Sequence, residues 1–228
     1  AAQTVKGNVP DYLAPMAVDS STSGTFTHIK DRFPHLKDQK LILFLSRIDP
    51  VKGLDILINA LNCLNGKRDD FTLLVAGTGD PKYENYIRKL IQERDLESKT
   101  LFLGLVQGSE KEAIFRSADM FVLPSHHENF GLAVVEAMQR GIPVIISDGV
   151  NIHREITNSG AGLVRSLDPL EFSSAIEILL DDHNMRNKMG KAGKRLVENR
   201  YSWDTSAKRI TEIYKEIIEK RQPRSEVN

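Results

Sequence analysis

The sequence predicts an α/β fold with a doubly wound, mostly parallel sheet and a helical C-terminus. Short apolar runs without polar interruption recur along the chain, which is typical of parallel strands buried on both faces. Segments with apolar residues at helical spacing separate these runs, and only helical patterns follow the last of them. Strands that alternate with helices in this way favour parallel strands joined by helical crossovers.

The strands follow a first segment that carries few structural signals. Residues 1–10 have no periodic pattern and are interpreted as a tail or leftover linker, so the domain is expected to span residues 11–228. A short strand is predicted at residues 12–19. Buried strands are then predicted at residues 41–46, 71–76, 100–105, 120–124, 142–147 and 161–165.

Helices are predicted between and after these strands. The first one has Leu54, Leu57 and Leu61 on one face. The others are predicted at residues 81–94, 110–118, 132–140, 170–180, 184–199 and 204–221. Trp203 is expected to anchor the last helix to the core.

Composition and charge exclude several classes of function. The 31 basic residues balance 31 acidic ones, so no overall field favours nucleic acid, and any anion site must be local. The one cysteine, Cys63, has no partner for an internal disulfide, which fits a reducing compartment. No run approaches the roughly 20 apolar residues that a membrane-spanning helix needs. The protein is therefore expected to be cytoplasmic, with peripheral contact at the inner membrane surface left open.

Basic, acidic and small residues follow the ends of several predicted strands. In an open parallel sheet, ligands bind outside the carboxyl ends of the strands, so these residues should converge on one rim of the sheet. They are Arg47, Lys52, Gly77, Gly79, Val106, Glu128 and Gly131. This convergence predicts a ligand site at the carboxyl end.

The strongest local pattern is a Gly-containing loop that opens the helix predicted at residues 132–140. The first N–H groups and the positive dipole end of such a helix attract a phosphate. Glu128 precedes this helix, and Glu136 lies about one turn inside it. Because carboxylates repel phosphates, both side chains are expected to accept hydrogen bonds from hydroxyls. A ligand with phosphates and hydroxyls on both sides is a nucleotide sugar.

Two other classes of ligand are disfavoured. Gly77 and Gly79 match half of a dinucleotide-binding fingerprint, but Lys82 occupies the position of the third glycine, which argues against NAD. His126 and His127 are adjacent and would point to opposite sides of an extended segment, so no metal site is expected.

Four segments, taken in order between about Leu13 and Tyr214, carry a family resemblance. They are FLSRIDPVKG at residues 44–53, VAGTGD at 75–80, FLGLV at 102–106, and ENFGLAVVEAM at 128–138 followed by GIPV at 141–144. Together they resemble the retaining glycosyltransferases of family 4. The resemblance implies the GT-B fold, in which two Rossmann-like domains face each other, and these motifs belong to its C-terminal, nucleotide-sugar domain. The N-terminal acceptor domain is then absent from this chain.

The resemblance implies roles for individual residues. Arg47 and Lys52 would hold the donor diphosphate, together with the backbone N–H groups of Leu132 and Ala133. Glu128 would bind a hydroxyl of the transferred sugar. Arg47, Lys52 and Glu128 are therefore the catalytic candidates.

Further roles concern the nucleoside. Glu136 would bind the ribose hydroxyls, and the base would meet the backbone of Val106, with Lys111 nearby. The other residues expected to contribute to donor binding are Asn129, Phe130, Gly131, Gly77 and Gly79. Residues 149–155 depart from the family pattern, so the resemblance assigns them no role.

The implied function is transfer of a hexose from a UDP-, GDP- or ADP-sugar to an acceptor glycan or lipid, with retention of configuration. Because two cations would meet the diphosphate, no metal or other cofactor is expected. The chain alone is expected to be inactive. Two alternatives stay open: a non-catalytic nucleotide-sugar-binding module that joins a partner chain, and a GT-B epimerase that needs no acceptor.

Overall fold

The computed structural model describes residues 28–221, in which six strands form one sheet. They are β1 Lys40–Leu45, β2 Phe71–Ala76, β3 Thr100–Gly104, β4 Met120–Leu123, β5 Val144–Ser147 and β6 Gly162–Arg165. The strands predicted from residue 41 onward are confirmed, with each end within two residues of its prediction. The predicted tail at residues 1–10 and strand at residues 12–19 lie outside the described residues.

The order of the strands is β3-β2-β1-β4-β5-β6, and every neighbouring pair is parallel. The chain therefore winds outward from β1 towards β3 and then, in the other direction, from β4 towards β6. This confirms the predicted doubly wound sheet. Where the order reverses, the loops after β1 and β4 leave the sheet in opposite directions and open a crevice at its carboxyl end.

Nine α-helices lie in the same described part of the chain. They are α1 Ile29–Arg32, α2 Leu54–Asn62, α3 Pro81–Glu93, α4 Gly108–Ser117, α5 Leu132–Gln139, α6 His153–Ser159, α7 Pro169–Asp181, α8 His183–Arg200 and α9 Trp203–Arg221. Helix α2 packs against α3 and α7, whereas α8 packs against α5 and α6. In residues 28–221 no helix is both long and apolar enough to cross a membrane.

The core lies along the sheet, which is why the apolar runs are unbroken. Every residue of β2, β4 and β5 is buried, and β1 buries four consecutive residues. The edge strands β3 and β6 are only half-buried. The central strands are thus held from both faces, and the loops at their carboxyl ends start from fixed positions.

Two features of the C-terminal half differ from the sequence-based predictions. Helix α6 was not predicted, because Ile156 is its one buried residue and its sequence has no apolar periodicity. Trp203 is 65% exposed, so the expectation that it anchors α9 to the core is wrong. Tyr214 and Ile218 on α9 are also exposed, whereas Ile213 is buried, so α9 contacts α8 through a narrow face.

Candidate functional site

The loops that follow β1 and β4 meet in the crevice where the strand order reverses. Lys52 lies in the first loop and Glu128 in the second, and the Lys52 ammonium forms an ion pair with the Glu128 carboxylate. The two side chains are only 12% and 22% exposed, so solvent ions screen this pair less than a surface pair. Two of the three predicted catalytic residues are therefore in direct contact.

Backbone contacts fix these two loops against each other. The His126 N–H donates a hydrogen bond to the Val51 carbonyl at 2.8 Å, and the hydroxyl of buried Ser125 lies 3.0 Å from the same oxygen. Gly53 has a φ of +69°, and a Cβ at this position would lie 1.9 Å from the Pro124 carbonyl oxygen. The loops thus pack backbone to backbone, which leaves no room for a side chain.

A third loop, which follows β5, supports Glu128 from the other side. The Glu128 N–H donates to the Gly149 carbonyl at 3.0 Å, and the Asn151 N–H donates to the Glu128 carbonyl at 3.0 Å. A Cβ on Gly149 would lie 2.5 Å from the His126 carbonyl oxygen, so only glycine permits this approach. Residues 149–155, to which the resemblance assigned no role, therefore hold the loop of Glu128 in place and lead into α6.

Helix α5 begins beside this ion pair without a side-chain cap. Gly131 precedes it with a φ of +75°, in the left-handed region that favours glycine. The Gly131 carbonyl accepts the N–H groups of Val134 and Val135. The N–H groups of Leu132 and Ala133 are the first of the helix and face its open end. This is the anion-attracting helix start that the sequence predicts.

One turn further along α5, Glu136 pairs with a cation from the neighbouring helix. The Nζ of Lys111 on α4 lies 2.7 Å from the Oε1 of Glu136, and the side chains are 28% and 18% exposed. The Lys111 ammonium also lies 5.8 Å from the ring centroid of buried Phe115. The structure thus brings together two residues predicted to lie near the nucleoside of the donor.

Arg47 shares the β1 loop with Lys52 but takes no part in its ion pair. The Arg47 side chain is 75% exposed, and its guanidinium lies 3.8 Å from the Asp49 carboxylate. An exposed pair of this kind restrains a side chain only weakly. Arg47 therefore lies on the rim, and its contact with a diphosphate stays a prediction.

The two glycines after β2 have a packing role. A Cβ on Gly77 would lie 1.9 Å from the Ser46 carbonyl oxygen, and one on Gly79 would lie 1.8 Å from the Ile48 carbonyl oxygen. Both positions need glycine because the loop after β2 lies directly against the loop after β1. A role of these glycines in donor binding stays a prediction.

The other predicted residues have different surroundings. The Phe130 ring packs edge-on against Tyr201, with the centroids 5.3 Å apart, and burial raises the pKa of the Tyr201 hydroxyl to about 12. Phe130 thus fastens the loop before α5 to the end of α8. The Asn129 side-chain oxygen lies 3.0 Å from the Nε2 of exposed His127, and Val106 is buried after β3. The donor contacts of Phe130, Asn129 and Val106 stay predictions.

Four polar residues with largely buried side chains were not identified from the sequence. Ser125 and Ser147 are fully buried, and the Ser147 hydroxyl donates to the Ser125 carbonyl, which joins the loops after β4 and β5. Both serines stand at or just after the end of an apolar strand, and this position is the sequence signal from which they could have been identified. Glu112 and Arg140 form a second set, a buried ion pair between α4 and the end of α5. They lie 28 residues apart, and no sequence pattern connects them.

The comparison with protein families gives a match over most of the chain. Residues 26–196 match the family described as Glycosyl transferases group 1. The chain is 35% identical over 181 residues to the phosphatidyl-myo-inositol mannosyltransferase of Mycobacterium leprae, an alignment that covers 78% of this chain and 47% of that protein. The chain spans about half the length of the curated relatives it matches.

Solved structures of glycosyltransferases share the fold. The likeness to sucrose-phosphate synthase from Thermosynechococcus elongatus has a TM-score of 0.72 at 27% identity and covers 86% of this chain and 50% of that one. For the Anabaena protein HepE in complex with UDP-glucose, the TM-score is 0.74 at 21% identity, with 82% and 51% covered. These GT-B neighbours confirm the predicted Rossmann-like fold. Because the family match spans both the sheet and the crevice, the chain belongs to the glycosyl transferases group 1 family.

Proposed function

We propose that this chain is the donor-binding, C-terminal half of a family 4 glycosyltransferase that transfers a hexose from a nucleotide diphosphate sugar with retention of configuration. One observation carries the proposal: Lys52 and Glu128 are paired in the crevice where the strand order reverses, beside the open start of α5. A cation, a helix start and a carboxylate in one crevice suit a ligand with both phosphates and hydroxyls.

Donor binding would exchange the partner of Lys52. A diphosphate carries more negative charge than a carboxylate and offers more acceptor oxygens, so the Lys52 ammonium would turn to it at the start of α5. The Glu128 carboxylate would then be released to accept a hydrogen bond from a hydroxyl of the sugar. Until a donor binds, the ion pair compensates both half-buried charges.

The nucleoside would lie towards α4. The ion pair with Lys111 uses the Oε1 of Glu136, and Oε2 would accept hydrogen bonds from the ribose hydroxyls. The Lys111 charge reduces the repulsion between the Glu136 carboxylate and the phosphates of the donor. The base would meet the backbone at Val106, which follows β3 on the same rim.

The residues at the diphosphate suit the chemistry of transfer. The acceptor hydroxyl attacks the anomeric carbon, the bond from that carbon to the phosphate oxygen breaks, and the departing phosphate takes the proton on the same face, which retains the configuration. Lys52, Arg47 and the N–H groups at the start of α5 would stabilise the negative charge that develops. Removing one such donor typically costs about 3 kcal/mol in the barrier. With this set of donors the reaction would need no metal.

The acceptor side of the proposal concerns the rest of the protein. The chain spans about half the length of its curated relatives, so an acceptor glycan or lipid would be bound by an N-terminal half outside it. This chain alone would bind the donor without transferring the sugar. The reaction would take place in the cytoplasm, at the inner membrane surface where the acceptor is a lipid.

Calorimetry of this chain against UDP, GDP and ADP, and against their glucose and mannose derivatives, tests the donor site. The titrations are made in EDTA so that binding without a divalent metal is measured directly. We expect one nucleotide to bind more tightly than the other two, and one of its sugars to bind more tightly still. A folded sample that binds none of these compounds would overturn the proposed function.

Two substitutions test the roles of the carboxylates. We expect Glu136→Ala to weaken binding of the free nucleotide about tenfold, because hydrogen bonds between a charged group and the ribose are lost. Glu128→Ala should not weaken the free nucleotide and should remove the additional affinity of the nucleotide sugar. Equal effects of both substitutions on the free nucleotide would contradict this assignment.

A further inference from the structure

We propose, on the basis of the function above, that Arg140 is a positioning residue: fastened to buried Glu112, it holds Glu136 in place for the ribose of the nucleotide. Glu112 lies on α4, next to Lys111, and Arg140 follows the last residue of α5. The proposal therefore adds a second layer of residues behind the carboxylate that would meet the ribose.

Glu112 is a buried anchor on α4. Its side chain is 2% exposed, and its Oε2 accepts the Nε of Arg140 at 2.6 Å, with the Nη2 of Arg140 also at 2.6 Å. Its Oε1 accepts the Nε of Arg116 at 2.7 Å. A buried carboxylate is stable only when its charge is compensated and its oxygens are hydrogen-bonded, and here both conditions are met. The Arg140 guanidinium is therefore held firmly against α4.

From this anchor, Arg140 reaches the main chain of Glu136. The Nη1 of Arg140 donates to the Glu136 carbonyl at 2.8 Å. In a regular α-helix that carbonyl would accept the backbone N–H of residue 140, but the Arg140 N–H donates to the Ala137 carbonyl at 3.1 Å instead. The guanidinium thus occupies an acceptor at the end of α5 that the Arg140 N–H does not use. The peptide of Glu136 is tied directly to Glu112 through one side chain.

Two consecutive residues of α4 therefore hold one residue of α5. Lys111 pairs with the Glu136 side chain at 2.7 Å, while Glu112 holds its main chain through Arg140. The ring of buried Phe115 lies near both cations, with the Arg140 guanidinium 4.7 Å and the Lys111 ammonium 5.8 Å from its centroid. We call this closed set of contacts the α4–α5 clamp, and its four members are Lys111, Glu112, Glu136 and Arg140.

Arg140 acts through Glu136 and not on the ligand. Its side chain is 14% exposed, and its guanidinium is engaged by the Glu112 carboxylate and the Glu136 carbonyl. The planar fork of an arginine serves both acceptors at once, whereas a lysine would offer a single point of charge. Losing the clamp should therefore affect only the part of binding that depends on where the Glu136 carboxylate lies.

The experiment measures preference for the ribose hydroxyls. Calorimetry gives the affinities of this chain for UDP, GDP and ADP and for the 2′,3′-dideoxy form of each, and the ratio of the two affinities is the ribose preference. For the nucleotide that binds tightest, Arg140→Met should lower this ratio about threefold, which is less than the loss in Glu136→Ala, while the dideoxy form binds as before. Glu112→Gln, which keeps the size of the side chain and removes its charge, should lower the ratio in the same direction by a smaller factor.

Matched controls separate positioning from general damage. Arg209→Met removes an exposed arginine of α9 that pairs with Glu212, and it should leave the ratio unchanged. An unchanged ratio in folded Arg140→Met and Glu112→Gln would overturn the proposal, as would equal losses for the two forms of the nucleotide. Absence of nucleotide binding by the wild-type chain would instead overturn the proposed function, so the two failures are distinguishable.

Discussion

The two ends of the sheet both carry ion pairs, but the carboxylates in these pairs differ in exposure. At the amino end, Arg68 pairs with Asp70 and with Asp181, whose side chains are 46% and 61% exposed. At the carboxyl end, Glu128 and Glu136 are only 22% and 18% exposed. A half-buried carboxylate loses hydration that its partner does not fully replace, so such pairs contribute little to stability. In the proposed function, the nucleotide sugar uses both carboxylates.

At the amino end, these charged side chains are paired with one another without a ligand. The Arg68 guanidinium makes two parallel hydrogen bonds to Asp70, which lower the pKa of that carboxyl. Lys99 adds a pair with Asp69 at 2.7 Å and donates to the Arg68 carbonyl at 2.6 Å. We therefore expect substitutions at the amino end to change stability and not binding, whereas substitutions of charged residues at the carboxyl end should change binding.

The largest expected effect concerns the backbone at the carboxyl end. Gly53→Ala should destabilise the chain by about 3 kcal/mol or more, because a Cβ 1.9 Å from the Pro124 carbonyl oxygen forces two loops apart. Gly66→Ala is a matched control, since Gly66 has a similar φ of +76° with no atom near its Cβ position. It should cost only about 1 kcal/mol. Urea unfolding followed by circular dichroism measures both, and equal losses would show that the loops are not closely packed.

The next effect concerns a charge in the crevice. Lys52→Met should weaken binding of the nucleoside diphosphate about a hundredfold while the free nucleoside binds as before, because in the proposed function only the phosphates would contact Lys52. Its unfolding midpoint should fall, because the Glu128 carboxylate loses the charge that compensates it. Lys99→Met, which removes a lysine of the amino end, is the control for loss of a positive charge. A similar loss of nucleotide affinity in both variants would mean that the net charge, and not the crevice, determines binding.

A smaller effect is expected for the amino end. Arg68→Met should lower the free energy of unfolding by about 1 kcal/mol, because its partners are exposed to solvent and a surface pair contributes little. Nucleotide binding should remain that of the wild-type chain. Calorimetry and urea unfolding of the same sample measure the two quantities together. A loss of nucleotide affinity here would contradict the division of roles between the two ends.

The smallest effect depends on pH. Because Arg68 holds the pKa of Asp70 below its ordinary value of 3.8, the Asp70 carboxylate stabilises the folded chain at neutral pH. This contribution is fully present above the pKa of the unfolded chain and is lost as the pH falls through the lower folded pKa. Asp70→Asn should therefore be less stable than wild type at neutral pH, and the difference should close in acid. Thermal unfolding between about pH 7 and pH 2 measures it, and a difference that persists in acid would exclude this cause.

The fold was predictable to a greater extent than the site. Buried parallel strands leave unbroken apolar runs, so their positions can be read from local sequence to within two residues. The loops at the rim could be placed because consecutive parallel strands end on the same side. By contrast, the pairing of Lys111 with Glu136 joins residues 25 positions apart, and no local pattern encodes it.

Sequence alone is ambiguous where one residue type serves two purposes. Gly77 and Gly79 are predicted to contribute to donor binding, and the structure gives them a packing role as well, because glycine is also required where two backbones meet. The exposed face of Trp203 could not be foreseen, since an aromatic residue at the start of a helix is compatible with either burial or exposure. Helix α6 was missed because a helix with one buried residue leaves no periodic signal.

The exposure of Trp203 also determines what tryptophan fluorescence can report about this chain. It is the single tryptophan of the sequence, and its indole is 65% exposed at the start of α9. Its emission should therefore be close to that of free indole in water and should change little when the sheet unfolds. The same property makes it a local reporter: a shift of the emission to shorter wavelength would indicate that another surface has covered the beginning of α9.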